Sequence, residues 1–233
     1  MSVQRKIFHL LDDNGKTGRD FGYLPKLSPR HDFNFDDWII VTDKIDGTTT
    51  QADNENIYQR RDRFKKGDPR KFSATEAERY YLEKLEETDP QYKWIFKAYV
   101  KYKGLFRFMH TDLMVYFECF GDKINARYKG RPQDIKVFDF ARFDVNNEYR
   151  YLPFIATEKL CEEYSLPIVG NISRKFSEVE EIIDSLSNAL HEDEDLRDYE
   201  LEGWVLRQGE QIAKIRKNDL RHIADFMTKE DTL

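Results

Sequence analysis

Lys44, Ile45, Asp46 and Gly47 are the residues of this 233-residue chain whose types most directly suggest chemistry. The lysine follows a short apolar, β-branched run, Trp38 to Thr42, so a buried strand would carry its amine to a fixed place. A lysine amine is protonated at its free pKa of about 10.4 and attacks an electrophile only where its surroundings favour the neutral form. A partly buried position near other cations has that effect. A solvated Lys-Ile-Asp-Gly turn is the plainer reading of the same four residues. Groups that could serve such an amine follow in order. Glu118 lies in a strand-like run with Gly121 just after it, Phe138 and Asp139 lie in the next, and Glu202-Gly203 opens another. Lys214 and Arg216 stand two apart in a strand, hence on one face. Carboxylate oxygens suit magnesium or manganese, and paired cations suit phosphoryl oxygens.

Other chemistries find little support. The five histidines show no spacing for zinc or for a nucleophile relay. The two cysteines, Cys119 and Cys161, are far apart, which indicates neither a disulfide framework nor a zinc knuckle and fits a reduced compartment, cytoplasm or nucleoplasm. No Gly-rich phosphate loop ends in Gly-Lys-Ser/Thr. A mean hydropathy of -0.78 and the lack of a long apolar run argue against a membrane span, and Asp12 and Asp13 cut the first apolar stretch too short for a secretory signal. Net charge is -6, but it is unevenly spread. Glu178 to Glu202 holds eleven acidic residues and only Arg197 as a base, leaving the remainder at +4. Arg60 to Lys71 carries seven positive charges against Asp62 and Asp68. A second basic stretch mixes Lys93, Lys97, Lys101 and Lys103 with aromatics. Local positive potential attracts phosphates, although an ordinary solvated face is the plainer reading of either cluster taken alone. The acidic run His191 to Glu200 lacks calcium-loop spacing and reads as a solvated loop.

The elements that must hold these residues can be read coarsely. Residues 1 to 36, rich in turn formers, are expected along the domain edge. Strands are expected at 38–42, 113–120, 135–140, 203–207 and 211–217, the last two joined by the turn Gln208-Gly209-Glu210. Ser73 with Glu76 forms a capping-box pattern for a helix ending near Thr88, and Pro90 opens a helix to Gly104. Helices are also expected at 156–164, at 177–190 with the pair Ser177 and Glu180, and at 219–229. Strand runs and helix pairs without βαβ alternation point to α+β architecture, mainly antiparallel, in a single domain spanning 1–233.

Taken in order, Lys44-x-Asp46-Gly47, Glu118, Phe138-Asp139, Glu202-Gly203 and Lys214-x-Arg216 resemble motifs I, III, IIIa, IV and V of the covalent nucleotidyltransferases. That superfamily comprises DNA ligases, RNA ligases and mRNA-capping guanylyltransferases. DNA ligases and capping enzymes typically carry an arginine where this chain has Thr49, so the stretch is more similar to the RNA ligases. Asn125, after the Gly121 loop, resembles the RNA-ligase form of motif III, and the segment from Tyr151 to Gly170 resembles the class typified by phage RNA ligase 2. The chain stops about sixteen residues after motif V, so a catalytic domain standing alone, without an OB-fold, is expected.

The resemblance implies an ATP-grasp-like ligase catalytic domain, an ATP-dependent RNA ligase joining 3′-hydroxyl to 5′-phosphate ends. Lys44 would become a lysyl-adenylate, and Lys214 would meet the α-phosphate with Arg216 beside it. Arg216 stands where the family more often has a second lysine. Glu202 would bind Mg2+ or Mn2+, with Asp46 sharing that duty or instead forming a turn capped by Gly47. Glu118 would contact the ribose and Phe138 would stack on adenine, or serve simply as core. Asp43 and Ile45 would line the nucleotide through the backbone. Arg61 would contact sugar or phosphate, with Arg60 as the alternative, since strand alternation lets only one face the pocket. Implied partners are ATP and RNA; the protein is expected as a monomer, with a separate partner recognising ends. The rival readings are a DNA ligase, a guanylyltransferase, or a nucleotide-binding module that does not seal.

Overall fold

The computed structural model describes residues 7–16, 21–61, 81–144, 148–192, 201–221 and 223. In chain order the elements are β1 (Phe8–His9), β2 (Leu11–Asp13), β3 (Tyr23–Leu27), β4 (Ile39–Ile45), β5 (Thr48–Ala52), β6 (Ile57–Arg61), β7 (Tyr81–Lys84), α1 (Lys93–Tyr99), α2 (Lys103–Phe106), β8 (Leu113–Phe120), β9 (Asp134–Phe143), β10 (Tyr149–Tyr151), α3 (Phe154–Glu163), β11 (Asn171–Arg174), α4 (Val179–Glu192), β12 (Leu201–Gln208) and β13 (Gln211–Arg216). The architecture is α+β with mainly antiparallel pairing, the class expected from the sequence. The chain forms two compact units, one built on residues 46–168 and the other on residues 6–45 and 169–233.

The 46–168 unit is a six-stranded sheet in the order β10-β9-β8-β5-β6-β7. One face of that sheet is apolar because Val115, Phe117 and Cys119 alternate along β8 with Ala52, Ile57, Ile135 and Val137 beside them. The helices α1, α2 and α3 cover this face, adding Ile95, Ala98, Tyr99, Phe106 and Cys161 to one buried cluster. The opposite face carries a smaller cluster of Tyr58, Met114, Tyr116 and Ala141.

The other unit is a five-stranded sheet in the order β1-β13-β12-β4-β11, with the hairpin β2-β3 beside it in the chain. Ile39 and Val41 of β4, Leu206 of β12, and Ala213 and Ile215 of β13 supply its buried face. Val179, Ile182, Ile183 and Leu186 of α4 recur at the spacing of one helix face and close that core. At the start of α4, Ser177 donates both its N–H and its hydroxyl to Glu181, so Glu181 and not Glu180 completes the cap. Among the described residues no helix is long and apolar enough to cross a membrane.

Two helix expectations need correction. Residues 81–84 are a strand paired with β6, not the end of a helix, because pairing with Tyr58 to Arg61 outweighs local helix preference. The expected start of that helix at Ser73 lies outside the described residues. The helix from Pro90 is broken into a 3-10 turn at Pro90–Tyr92 followed by α1 and α2. In a straight helix Tyr99 and Phe106 would be about 10 Å apart along the axis, whereas their rings stack at 5.2 Å and Phe106 stacks on Phe117 at 5.6 Å. Residues 217–221 are helical after β13, and the rest of the helix expected to Lys229 lies, apart from Ile223, outside the described residues.

Candidate active site

Lys44 is the penultimate residue of β4, the strand held between β12 and β11. Register decides which face it takes. Leu206 pairs with Val41 on the buried face, so the alternate pairs belong to the other face: Lys44 with Gly203, Thr42 with Val205, Val205 with Lys214, and Gly203 with Arg216. Lys44, Lys214 and Arg216 therefore share one face of three adjacent strands. Gly203 lies between Lys44 and Arg216 in that row, and a Cβ there would sit 2.1 Å from the carbonyl oxygen of Ile215.

Glu202 reaches this face because β12 carries a bulge. Leu201 pairs with Ile45 and Gly203 with Lys44, which leaves Glu202 as the extra residue. Its carboxylate forms an ion pair with the Lys44 ammonium, the two side chains being 28% and 24% exposed. Burial, then the charges of Lys44 and Arg216, lowers the pKa of Lys214, with Glu202 and Asp219 pulling the other way. Asp43 donates its backbone N–H to the Gly170 carbonyl at 2.8 Å, which commits that donor to the protein. Ile45 is buried.

The second group belongs to the 46–168 unit. Glu118 sits on β8 opposite Thr49, whose hydroxyl donates to it at 3.0 Å. Thr49, which stands where the sequence comparison with DNA ligases and capping enzymes expected an arginine, is thus a hydrogen-bond partner of Glu118. Phe138 is also placed by a bulge: Tyr116 pairs with Asp139 and Phe117 with Val137, leaving Phe138 as the added residue. It packs on the face of Tyr116, away from the helices, with ring centroids 6.5 Å apart. Cys119 points to the helix-covered face, as alternation requires, and burial pushes its thiol up to about 12.

Register also places Arg60. Gln51 pairs with both Tyr116 and Tyr58, so Tyr58 and, two residues on, Arg60 stand at positions of the Glu118 face. The alternative position, Arg60, is thus on that face. Asp46 accepts from Arg127 at 2.9 Å, a partner that sequence reasoning missed. Asn125 caps the short turn Ala126–Tyr128 by accepting from the Arg127 N–H, and that turn presents Arg127. The available signal was Asn125 two residues before a basic side chain. Gly47 allows close approach of the Cys119 carbonyl, which a Cβ would meet at 2.2 Å.

A family model described as RNA ligase matches residues 37–224. The chain belongs to the RNA ligase family. Solved structures agree in fold. An archaeal ATP-dependent RNA ligase is 15% identical over 94% of this chain and 49% of its own, with a TM-score of 0.53. A mutant RNA ligase from Naegleria gruberi, solved with ATP and Mn, is 17% identical over 94% of this chain and 61% of its own, with a TM-score of 0.55. A further Naegleria gruberi RNA ligase mutant with ATP and Mn is 17% identical over 79% of this chain and 51% of its own, with a TM-score of 0.52. The chain spans about half the length of most of these ligases. No match was found among curated proteins.

In this RNA ligase chain no group of three or more His, Cys, Asp or Glu side chains among the described residues could cage a metal. Magnesium and manganese do not require one beside a triphosphate, since one or two carboxylates plus substrate phosphates suffice. Glu202, on the face that carries three cations, fits that pattern. Both candidate carboxylates are ion-paired, Glu202 with Lys44 and Asp46 with Arg127.

Proposed function

We propose that this chain is an ATP-dependent RNA ligase acting through a lysyl-adenylate on Lys44. The observation that carries the reading is the shared sheet face of Lys44, Lys214 and Arg216, with Glu202 turned onto it by a bulge. The Lys44 amine attacks in its neutral form, its proton having passed to bulk water. Its nitrogen then forms a bond to the α-phosphorus of ATP as the bond to the bridging oxygen breaks and pyrophosphate leaves. Lys214 and Arg216 balance charge gathering on the phosphoryl oxygens. A divalent ion held through Glu202 would add Lewis-acid stabilisation when bound. An RNA 5′-phosphate oxygen next displaces Lys44, which recovers its proton, and a 3′-hydroxyl then expels AMP to join the strands. Glu118 with Thr49 serves the ribose, and Phe138 stacks on adenine.

The proposal extends to a monomer in a reduced compartment, in keeping with two free buried thiols, with ends recognised through a separate partner. Its test is gel analysis of the purified protein with α-labelled ATP or GTP and magnesium or manganese, then RNA and DNA nicks. A covalent AMP adduct that chases into sealed RNA is expected. A GMP adduct alone, or adenylation without joining on several RNA substrates, overturns it.

A further inference from the structure

Asp219 is 2% exposed, and its carboxylate is surrounded by donors. His9 Nδ1 donates to Oδ2 at 2.8 Å, and the Arg216 backbone N–H reaches the same oxygen at 2.8 Å. The Arg216 guanidinium takes the other oxygen through Nε and Nη2, each at 3.3 Å. His9 is itself fixed three ways. It lies on β1, paired in parallel beside Lys214, it stacks on Tyr23 at 4.7 Å, and its carbonyl accepts from His31 Nε2 at 2.9 Å. Burial would raise the Asp219 carboxyl, but the His9 and Arg216 hydrogen bonds outweigh it and hold the group below its ordinary range. The Arg216 side chain nevertheless remains 38% exposed, so its charge is still open to a ligand.

We propose that Asp219 is a positioning residue which, braced by His9 from the N-terminal segment, fixes the Arg216 guanidinium beside Lys214 for polyphosphate binding. The inference rests on the ligase reading for the identity of that polyphosphate as ATP. A planar guanidinium can give two N–H groups to a carboxylate and keep its remaining donors for another anion. This accounts for arginine at a position where an ammonium would be a freer point charge. His9 also lies outside the span, 37–224, over which the family model matches this chain.

A double-mutant cycle tests the clamp. Half-saturating ATP for covalent labelling is measured for wild type, Asp219→Asn, Arg216→Ala and the pair, with a thermal midpoint for each. Either single change should raise half-saturating ATP about tenfold, as expected for loss of a charge-assisted contact. The pair should be no worse than Arg216→Ala alone. Independent, additive losses, or an Asp219→Asn value equal to wild type, overturn the proposal. Should Asp219→Asn fail to fold, His9→Gln enters the same cycle. Its smaller rise must vanish in the Arg216→Ala background, and persistence there overturns the proposal. If no nucleotide labels the chain, the Lys44 reading fails by itself, and the cycle is read by calorimetric binding of inorganic tripolyphosphate. Non-additivity in that assay sustains the clamp; additivity, or no binding by wild type, removes it.

Discussion

Lys44 and Glu202 meet as an ion pair on a face that also holds Lys214 and Arg216. On the proposed mechanism the side chain at position 44 must shed a proton to attack phosphorus, which an arginine cannot do. Lys44→Ala and Lys44→Arg should therefore both abolish the labelled adduct, and an adduct surviving in either removes the mechanism. Lys214 supplies a pH signature. Its pKa is lowered from the ordinary 10.5, so it loses its charge at a lower pH than a solvated lysine. Between the lowered value and 10.5 the folded chain binds fewer protons there than the unfolded chain, so this group's contribution to stability rises with pH across that window. Its cation is lost over the same window, so labelling should fall as pH rises through the lowered value. Lys214→Arg, which stays charged, should move that falling limb to higher pH; coincident profiles from pH 7 to 10 would show that Lys214 is not the cation involved.

At the scale of elements, two bulges place chemistry: one brings Glu202 onto the Lys44 face, the other brings Phe138 onto the Tyr116 face. Gly203→Ala should force β12 from β13, because its Cβ would meet the Ile215 carbonyl. A loss of about 1–3 kcal/mol in urea unfolding is expected, together with weaker labelling, and a neutral result would mean the strands part easily. The strands carrying Glu118, Phe138 and Lys214 were legible in the sequence because each is an apolar, β-branched or aromatic run, and the run at 38–42 announced the strand that extends on through Lys44. The bulges were not legible, since an added residue follows from pairing between distant strands and leaves no local pattern. The same cause hid β7, where a partner strand overrides helix-like composition, and hid the register that puts Arg60, the alternative to the expected Arg61, on the Glu118 face. Asp219 was missed because its donors come from His9, 210 positions away in sequence, and from the Arg216 backbone.

For the whole molecule, the net charge of -6 conceals a basic remainder once the acidic stretch from Glu178 to Glu202 is set apart. Most of the Arg60 to Lys71 cluster, and residues 193–200 of the acidic run, lie outside the described residues, so their effect is argued from charge alone. Replacing the lysines and arginines of 60–71 with glutamine should weaken RNA binding and reduce its dependence on salt concentration, since fewer phosphate counterions are released. An unchanged slope would assign RNA contact elsewhere. The two compact units differ in how the chain supplies them. Residues 46–168 are nearly continuous, whereas the five-stranded sheet draws β1 and β4 from before that segment and β11, β12 and β13 from after it. During vectorial synthesis, at roughly 5–20 residues per second, Lys44 leaves the ribosome long before either strand that will flank it. A chain cut before β11 thus carries Lys44 without either of the two strands that flank β4.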